Sequence, residues 1–360
     1  MKKKLSILAT GLFIVSLFAL CTTQRPATTG ENVNLRNVQL LCIAYYNLEN
    51  LFDTILNQAN ESDHEFTPDG ARRWNTHKYN EKLRQLSFAI SQIGLDQSPV
   101  GAVIVGVSEV ENRAVLEDLV RQPAIAYRQY GIVHFESPDW RGIDNALLYN
   151  PRFFTVSNAV AHPTLMPGQT QPTTRDQLLV SGYLMGEKVH FIVVHWPSRW
   201  GGAAASSPRR VVAAELSKAI IDSITAIEPN AKIILMGDFN DDPADVSISV
   251  ALNAKRNAAD VQPGGLYNPF WAIHDRGIGT LMFQNRWNLF DQILVSYGLL
   301  NAPRNEWRYW RAEVFNRPFL LHQTGRNRGA PLRTHTPQGV WLNGFSDHLP
   351  SLIYLVREVE

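Results

Sequence analysis

The chain has little cysteine: two in 360 residues, Cys21 and Cys42. That excludes a disulfide framework and a four-thiolate metal site. Cys42 lies inside an apolar run and reads as a small core hydrophobe. Charge of one sign is lacking too, since the formal net charge is +1. A strongly cationic nucleic-acid wrapper and an acidic tail are thereby excluded, while local basic patches stay open. There is no internal repeat, heptad array or low-complexity segment. The one long uncharged apolar run, Leu5 to Leu20, is too short for a comfortable membrane span. Stability therefore rests on one large core, which about 320 residues can supply as a single domain.

The exception is the N-terminus. Lys2-Lys3-Lys4 precedes an uncharged stretch from Leu5 to Leu20, the layout of an export signal over residues 1–20. Cys21 follows at once in "FALC", which resembles a bacterial lipobox, although Leu20 replaces the small residue usual before a lipidated cysteine. Three readings stay open: a lipoprotein held at the periplasm, outer membrane or cell surface through Cys21, plain secretion, or a stretch retained as an amphipathic or transmembrane anchor. Residues 21–37 read as a flexible tether and 38–357 as the domain.

Eight runs read as strands: Val38–Tyr46, Ala102–Val107, Asn145–Tyr149, Leu178–Leu184, Val189–Val194, Ile233–Met236, Phe290–Val295 and Leu352–Val356. Leu83, Leu86, Ile90 and Ile93 recur at helical spacing, as do Val212, Leu216, Ile220 and Ile224. Only some strands have helices beside them, so mixed sheets covered by helices are expected rather than a regular βαβ repeat.

Polar residues gather at the strand ends. Asn47 follows the first strand, Glu109 and Glu111 the second, and His195 to Arg199 the fifth. "GDFNDDP" follows the sixth strand, and Ser346-Asp347-His348 precedes the last. Any one of these could be a capped turn. If the strand ends converge, their carboxylates repel unless a cation or proton balances them. Oxygen donors without thiolate favour Mg²⁺, Mn²⁺ or Ca²⁺ over zinc. Asp238 and Asn240, two apart in extended chain, point the same way into such a cleft. Asp241 and Asp242 read as solvated turn residues, with Pro243 opening a helix. Glu111 reads as a helix-capping acid, and Asp144 as support for the cleft from behind.

The ordered series "YYNLEN", "SEVEN", "NALLYNP", "HWPSR", "GDFND", "FDQILVS" and "SDHLP" resembles the endonuclease/exonuclease/phosphatase superfamily over residues 38–356. The resemblance implies a four-layer α/β sandwich, two packed mixed β-sheets flanked by helices, with its site where strand ends meet at one edge. It implies metal-dependent phosphoester hydrolysis by in-line attack of water. It makes Glu109 the main ligand of Mg²⁺ or Mn²⁺, with Asn47 and Asp347 completing or adjoining the shell. His348 becomes a base or phosphate-polarising group held by Asp291, and Asp238 the other candidate base. Asn240 would bond the nucleophile or phosphate, and His195 would touch phosphate or the leaving group. Arg199 would grip a phosphate oxygen through its fork.

Arginines and aromatics interleave in "EWRYWRAEVFNRPF" and in the loop carrying Arg326, Arg328 and Arg333. That pattern leans toward a nucleic-acid substrate, with a packed edge strand as the other reading. A nuclease or phosphodiesterase is thus expected, beside a phosphatase or sphingomyelinase-like phospholipase. An inactive surface binding module is the third reading. No protein partner is implied.

Overall fold

The computed structural model describes residues 28–30, 37–283 and 286–359. The export signal and Cys21 lie outside the described residues, as does the tether apart from Thr28–Gly30 and Asn37. In chain order the strands are β1 Thr28–Gly30, β2 Val38–Leu51, β3 Ala102–Val110, β4 Gly131–His134, β5 Asp144–Tyr149, β6 Phe154–His162, β7 Gln177–Leu184 and β8 Glu187–His195. They continue as β9 Ile233–Asp238, β10 Leu266–Tyr267, β11 Leu281–Phe283, β12 Arg286–Asn288, β13 Asp291–Ser296, β14 Arg308–Val314 and β15 Ser351–Glu358. The three longest helices are α1 Thr76–Gln92, α2 Arg113–Val120 and α3 Ala203–Thr225.

Two mixed sheets form, in the orders β1-β14-β15-β2-β3-β5-β4 and β10-β13-β9-β8-β7-β6. Alternation along the strands explains why they stack. In β8, Val189, Phe191 and Val193 enter the core between the sheets, whereas Ile192 and Val194 face the layer under α3. In β9, Ile234 and Met236 point inward, and Ile233 and Leu235 meet Ala213, Ala214, Ile220 and Ile221. A period of two thus places successive side chains on opposite faces, both covered. The small residues mark close approaches. A Cβ on Gly106 of β3 would come within 2.6 Å of Met236 Sδ across the sandwich. One on Gly237 would come within 2.1 Å of the Val194 carbonyl oxygen in the neighbouring strand.

All eight expected strands are present, most of them longer than expected. The tether expectation needs correction in part: Thr28–Gly30 pairs antiparallel with Arg311–Glu313 of β14. Strand β14 itself carries the arginine–aromatic run, and its side chains are engaged within the fold. Arg311 stacks on Trp310 and Tyr354, and Arg317, just beyond, stacks on Phe315 and bonds Glu313.

Candidate active site

Strand register delivers the polar residues to one place. In sheet one, parallel β2 and β3 align Asn47 with Ser108, next to Glu109. In sheet two, β8 and β9 align His195 with Asp238, and β13 aligns Asp291 with the same Asp238. His348 enters on the segment before β15, which is fastened in place: Ser346 Oγ donates to the Asn47 carbonyl at 2.7 Å, and Ser351 Oγ donates to the Asp291 carbonyl at 2.6 Å.

Asp238 Oδ2 is the point of convergence. Asn47 Nδ2 donates to it at 3.2 Å, His195 Nε2 lies 3.5 Å away, and His348 Nε2 lies 3.9 Å away. Its other oxygen accepts the Asn240 N–H at 2.9 Å, a bond made by the left-handed backbone of Asn240 (φ 51°). Burial and the neighbouring charges of Asp291 and Glu109 raise Asp238 to about 7, against the lowering pull of His348. His348 Nδ1 meets Asp291 Oδ2 at 2.8 Å. Burial works against the imidazolium, but Asp291, Asp238 and Asp347 outweigh it and hold His348 well above the usual histidine range. His195 is driven the opposite way, by burial and then by Arg175, Arg141 and His348, so it stays neutral.

Glu109 sits at φ 60°, accepts the Asn50 N–H at 3.0 Å through Oε2, and turns Oε1 toward His195 (3.9 Å) and Arg141 (4.0 Å). Asp347 Oδ1 lies 3.8 Å from His348 Nε2, and its Oδ2 accepts from Arg333 Nη2 at 2.8 Å. The expected residues Asn47, Glu109, His195, Asp238, Asp291, Asp347 and His348 therefore come together; Asn240 departs from its expectation, because the chain is not extended past Asp238 and its Nδ2 donates to the Trp196 carbonyl at 3.0 Å.

A hard cation fits this donor set. The groups are carboxylates, an amide and imidazoles; Cys42 packs instead beside Gly94, where an added Cβ would meet its Sγ at 2.6 Å. Glu109 Oε1 and Asp347 Oδ1 present carboxylate oxygens 3.9 Å from His195 and 3.8 Å from His348; Asp238 and Asp291 add further oxygens, and buried Asp291 Oδ1 has no hydrogen-bond donor among the described residues. The crowding of negative charge that raises Asp238 is what a divalent ion relieves.

Five expectations are corrected. Arg199 is occupied as a brace, not open to phosphate: Nε donates to the Asn240 carbonyl at 2.8 Å, Nη2 reaches Asp241 and Asp245, and the guanidinium stacks on Phe290. Asp241 is buried, not solvated, because Arg210 Nε of α3 lies 2.7 Å from it and Ser247 Oγ donates to it. Asp242 accepts the Leu289 N–H at 2.7 Å, and Pro243 stands in a turn. Glu111 does not cap α2; Asn112 does, accepting the Val115 N–H, while Glu111 accepts the Asp53 N–H at 2.7 Å. Asp144 meets His134 Nε2 at 2.9 Å and accepts the Ser137 N–H at 2.7 Å, in a group with His134 and Glu136 that is separate from Asp238, Asp291 and His348.

Sequence reasoning missed Arg141, whose guanidinium faces Glu109 and is steered by Asp139 at 3.7 Å. It also missed Glu49, Lys82 and the part Arg333 plays beside them. Glu49 accepts the Thr334 N–H at 2.6 Å and lies 3.5 Å from Arg333, while Lys82 Nζ donates to Thr334 Oγ1 and to the Phe345 carbonyl. The only signal was the position of Arg141 just ahead of β5.

Residues 42–357 match the model of the Endonuclease/Exonuclease/phosphatase family. No curated protein matches the chain. Among solved structures, a D. rerio TDP2 humanized by 14 mutations is 13% identical, with TM-score 0.53, covering 88% of this chain and 98% of that one. An endonuclease/exonuclease/phosphatase family protein of Bacteroides thetaiotaomicron is 18% identical, with TM-score 0.52, covering 89% and 99%. A mannosyl-6-phosphatase of the same organism is 19% identical, with TM-score 0.52, covering 88% and 99%. At these identities the likeness concerns the fold, the four-layer α/β sandwich expected above. The chain belongs to the endonuclease/exonuclease/phosphatase family, and is a metal-dependent hydrolase of phosphoester bonds.

Proposed function

We propose that the cleft between Glu109 and His348 hydrolyses a phosphoester by in-line attack of water, with Mg²⁺ or Mn²⁺ held by Glu109 and adjoined by Asn47 and Asp347. The observation that carries this reading is the His348–Asp291 pair at 2.8 Å, beside Asp238 and opposite Glu109 in one cleft. Bound there, the ion would supply Lewis-acid polarisation of the phosphoryl oxygens. Asp238 orients the attacking water and takes its proton, since one of its oxygens is fixed by Asn240 and the other faces the cleft. His348, kept cationic by Asp291, neutralises a phosphoryl oxygen. His195, kept neutral, donates a hydrogen bond to phosphate rather than a proton to the leaving group. Arg141 takes the phosphate contact expected of Arg199.

A nucleic-acid strand is the second reading of the substrate. Exposed Arg326 and Arg328 favour it, because their loop continues to Arg333 beside Asp347. The β14 arginines no longer support it, being engaged in packing. The neighbouring mannosyl-6-phosphatase favours a small phosphoester. The charged-then-apolar N-terminus supports action outside the cytoplasm. A panel decides between the substrates: release of phosphate from small esters with supercoiled DNA, single strands and RNA left intact selects the small ester. Cleavage of the polymers selects the nuclease, and inactivity on all of them overturns the phosphoesterase reading.

A further inference from the structure

A cavity of about 860 Å³ opens beside the reaction centre. Arg141 connects the two, lying on the cavity wall and 4.0 Å from Glu109. Pro197 and Ser198, two and three residues past His195, form another part of the wall. Trp140 and Trp200 stand on this cavity, 56% and 80% exposed. Two indoles left in water at one concavity are a large apolar area without a partner. Trp200 is followed by Gly201 and Gly202, at φ +81° and +105°, where an added Cβ would meet nothing within 4 Å. Residues with a Cβ rarely adopt these φ values, so the turn that presents Trp200 at the cavity depends on the two glycines.

The remaining wall is mixed: Met166, Pro167 and Pro208 add apolar surface, and a few polar groups stand among them. Thr173 Oγ1 donates to Gln169 Oε1 at 3.0 Å, which leaves the Gln169 amide N–H groups as donors and the Thr173 oxygen as an acceptor, and exposed Arg209 offers donors, with no ion pair among the described residues. The volume suits a ligand of one or two rings rather than a polymer strand. Indole faces cover the C–H face of a saturated ring, while amide, hydroxyl and guanidinium groups meet its hydroxyls at the edge.

We propose, resting on the phosphoesterase reading, that this cavity holds the alcohol part of the substrate and that this part is a hexose-like ring, so that the substrate is a sugar phosphate. In the reaction a P–O bond forms to water as Asp238 takes the water proton, the ester P–O bond breaks, and the departing sugar oxygen takes a proton from solvent.

Two measurements on the full chain test this. With Mg²⁺ present, kcat/KM for a hexose 6-phosphate should exceed that for glycerol 3-phosphate at least tenfold. In Trp140→Ala and Trp200→Ala the ratio should fall toward one, mainly through KM; both indoles are exposed, so an unchanged Tm verifies the fold. Saturation-transfer NMR of hexose 6-phosphate on the metal-free chain needs no turnover. A signal that disappears in the double tryptophan variant supports the cavity assignment. No signal, or one that survives both substitutions, overturns it. Tighter, tryptophan-dependent binding of adenosine monophosphate also overturns it, since the cavity then takes a base. Failure of the phosphoesterase reading looks different: the tryptophan-dependent signal persists while no phosphoester is turned over.

Discussion

Asp291 and His348 illustrate how much a single pair carries. They are 57 positions apart, and their 2.8 Å contact exists only because β13 pairs with β9 and the segment before β15 is fastened to β2 and β13. Asp291 fixes the tautomer of the ring and its charge. Asp291→Asn should therefore lower kcat by about 10²–10⁴-fold with little change in KM, read in steady-state kinetics; an equal fall in KM would assign Asp291 to binding instead. At this scale the sequence was legible where a residue's role is local. Asp238 was legible as the polar end of an apolar strand, but Asn240 was not: β9 stops at Asp238, and the left-handed backbone of Asn240 breaks the period of two expected to align them. Asp241 was misread because its partner, Arg210, is 31 positions upstream on a helix. Arg199 was misread for the same reason: its acids lie on the loop after β9.

Among the elements, α1 is tied to the loop before β15 through a buried cation. Lys82 is fully buried, and burial pushes it down to about 8 against the pull of Glu49, Asp347 and Glu109. Replacing it by methionine leaves buried Glu49 beside Asp347 with Arg333, 3.5 Å away, as its remaining cation. Lys82→Met should destabilise the fold by about 3–5 kcal/mol, and the double variant with Glu49→Gln should recover part of the loss in urea unfolding. Additive losses would mean that the two groups do not compensate each other. The same loop seats His335 between Trp74 and Trp341, at ring separations of 5.6 and 5.1 Å. Burial, then the charges of Arg72, Lys78, Lys82 and Arg333, lower it to about 3. Between pH 6.5 and 3 the unfolded chain binds a proton there that the folded chain does not, so this group's contribution falls as pH falls. His335→Phe should thus lose less stability than the wild type between pH 7 and 4.5, measured as urea midpoints; equal losses would contradict the assignment. Strands such as β8 and β9 were legible from alternation alone. Strand β6 was not, since it is an edge strand with most side chains in partial contact with solvent.

Across the whole molecule, the sandwich is a device for bringing two sheets' strand ends to one edge. Sheet one supplies Asn47 and Glu109, sheet two supplies His195, Asp238 and Asp291, and the approach to β15 supplies Asp347 and His348. The ordered motifs made that edge legible, because each is a polar group at the end of an apolar run. The loops that shape substrate access were not legible: Arg141, Trp140 and Trp200 lie between strands, where no periodicity marks a facing residue. The central claim is that Glu109 holds the activating ion while His348 serves the reacting phosphate. The most direct measurement is hydrolysis of the best substrate in the panel by the metal-stripped chain, titrated with Mg²⁺, for the wild type, Glu109→Gln and His348→Ala. The prediction is metal-restored activity in the wild type, a large rise in the Mg²⁺ concentration needed by Glu109→Gln, and a loss of about 10²-fold or more in His348→Ala at saturating Mg²⁺. Wild-type rates and unchanged Mg²⁺ dependence in both variants would contradict it.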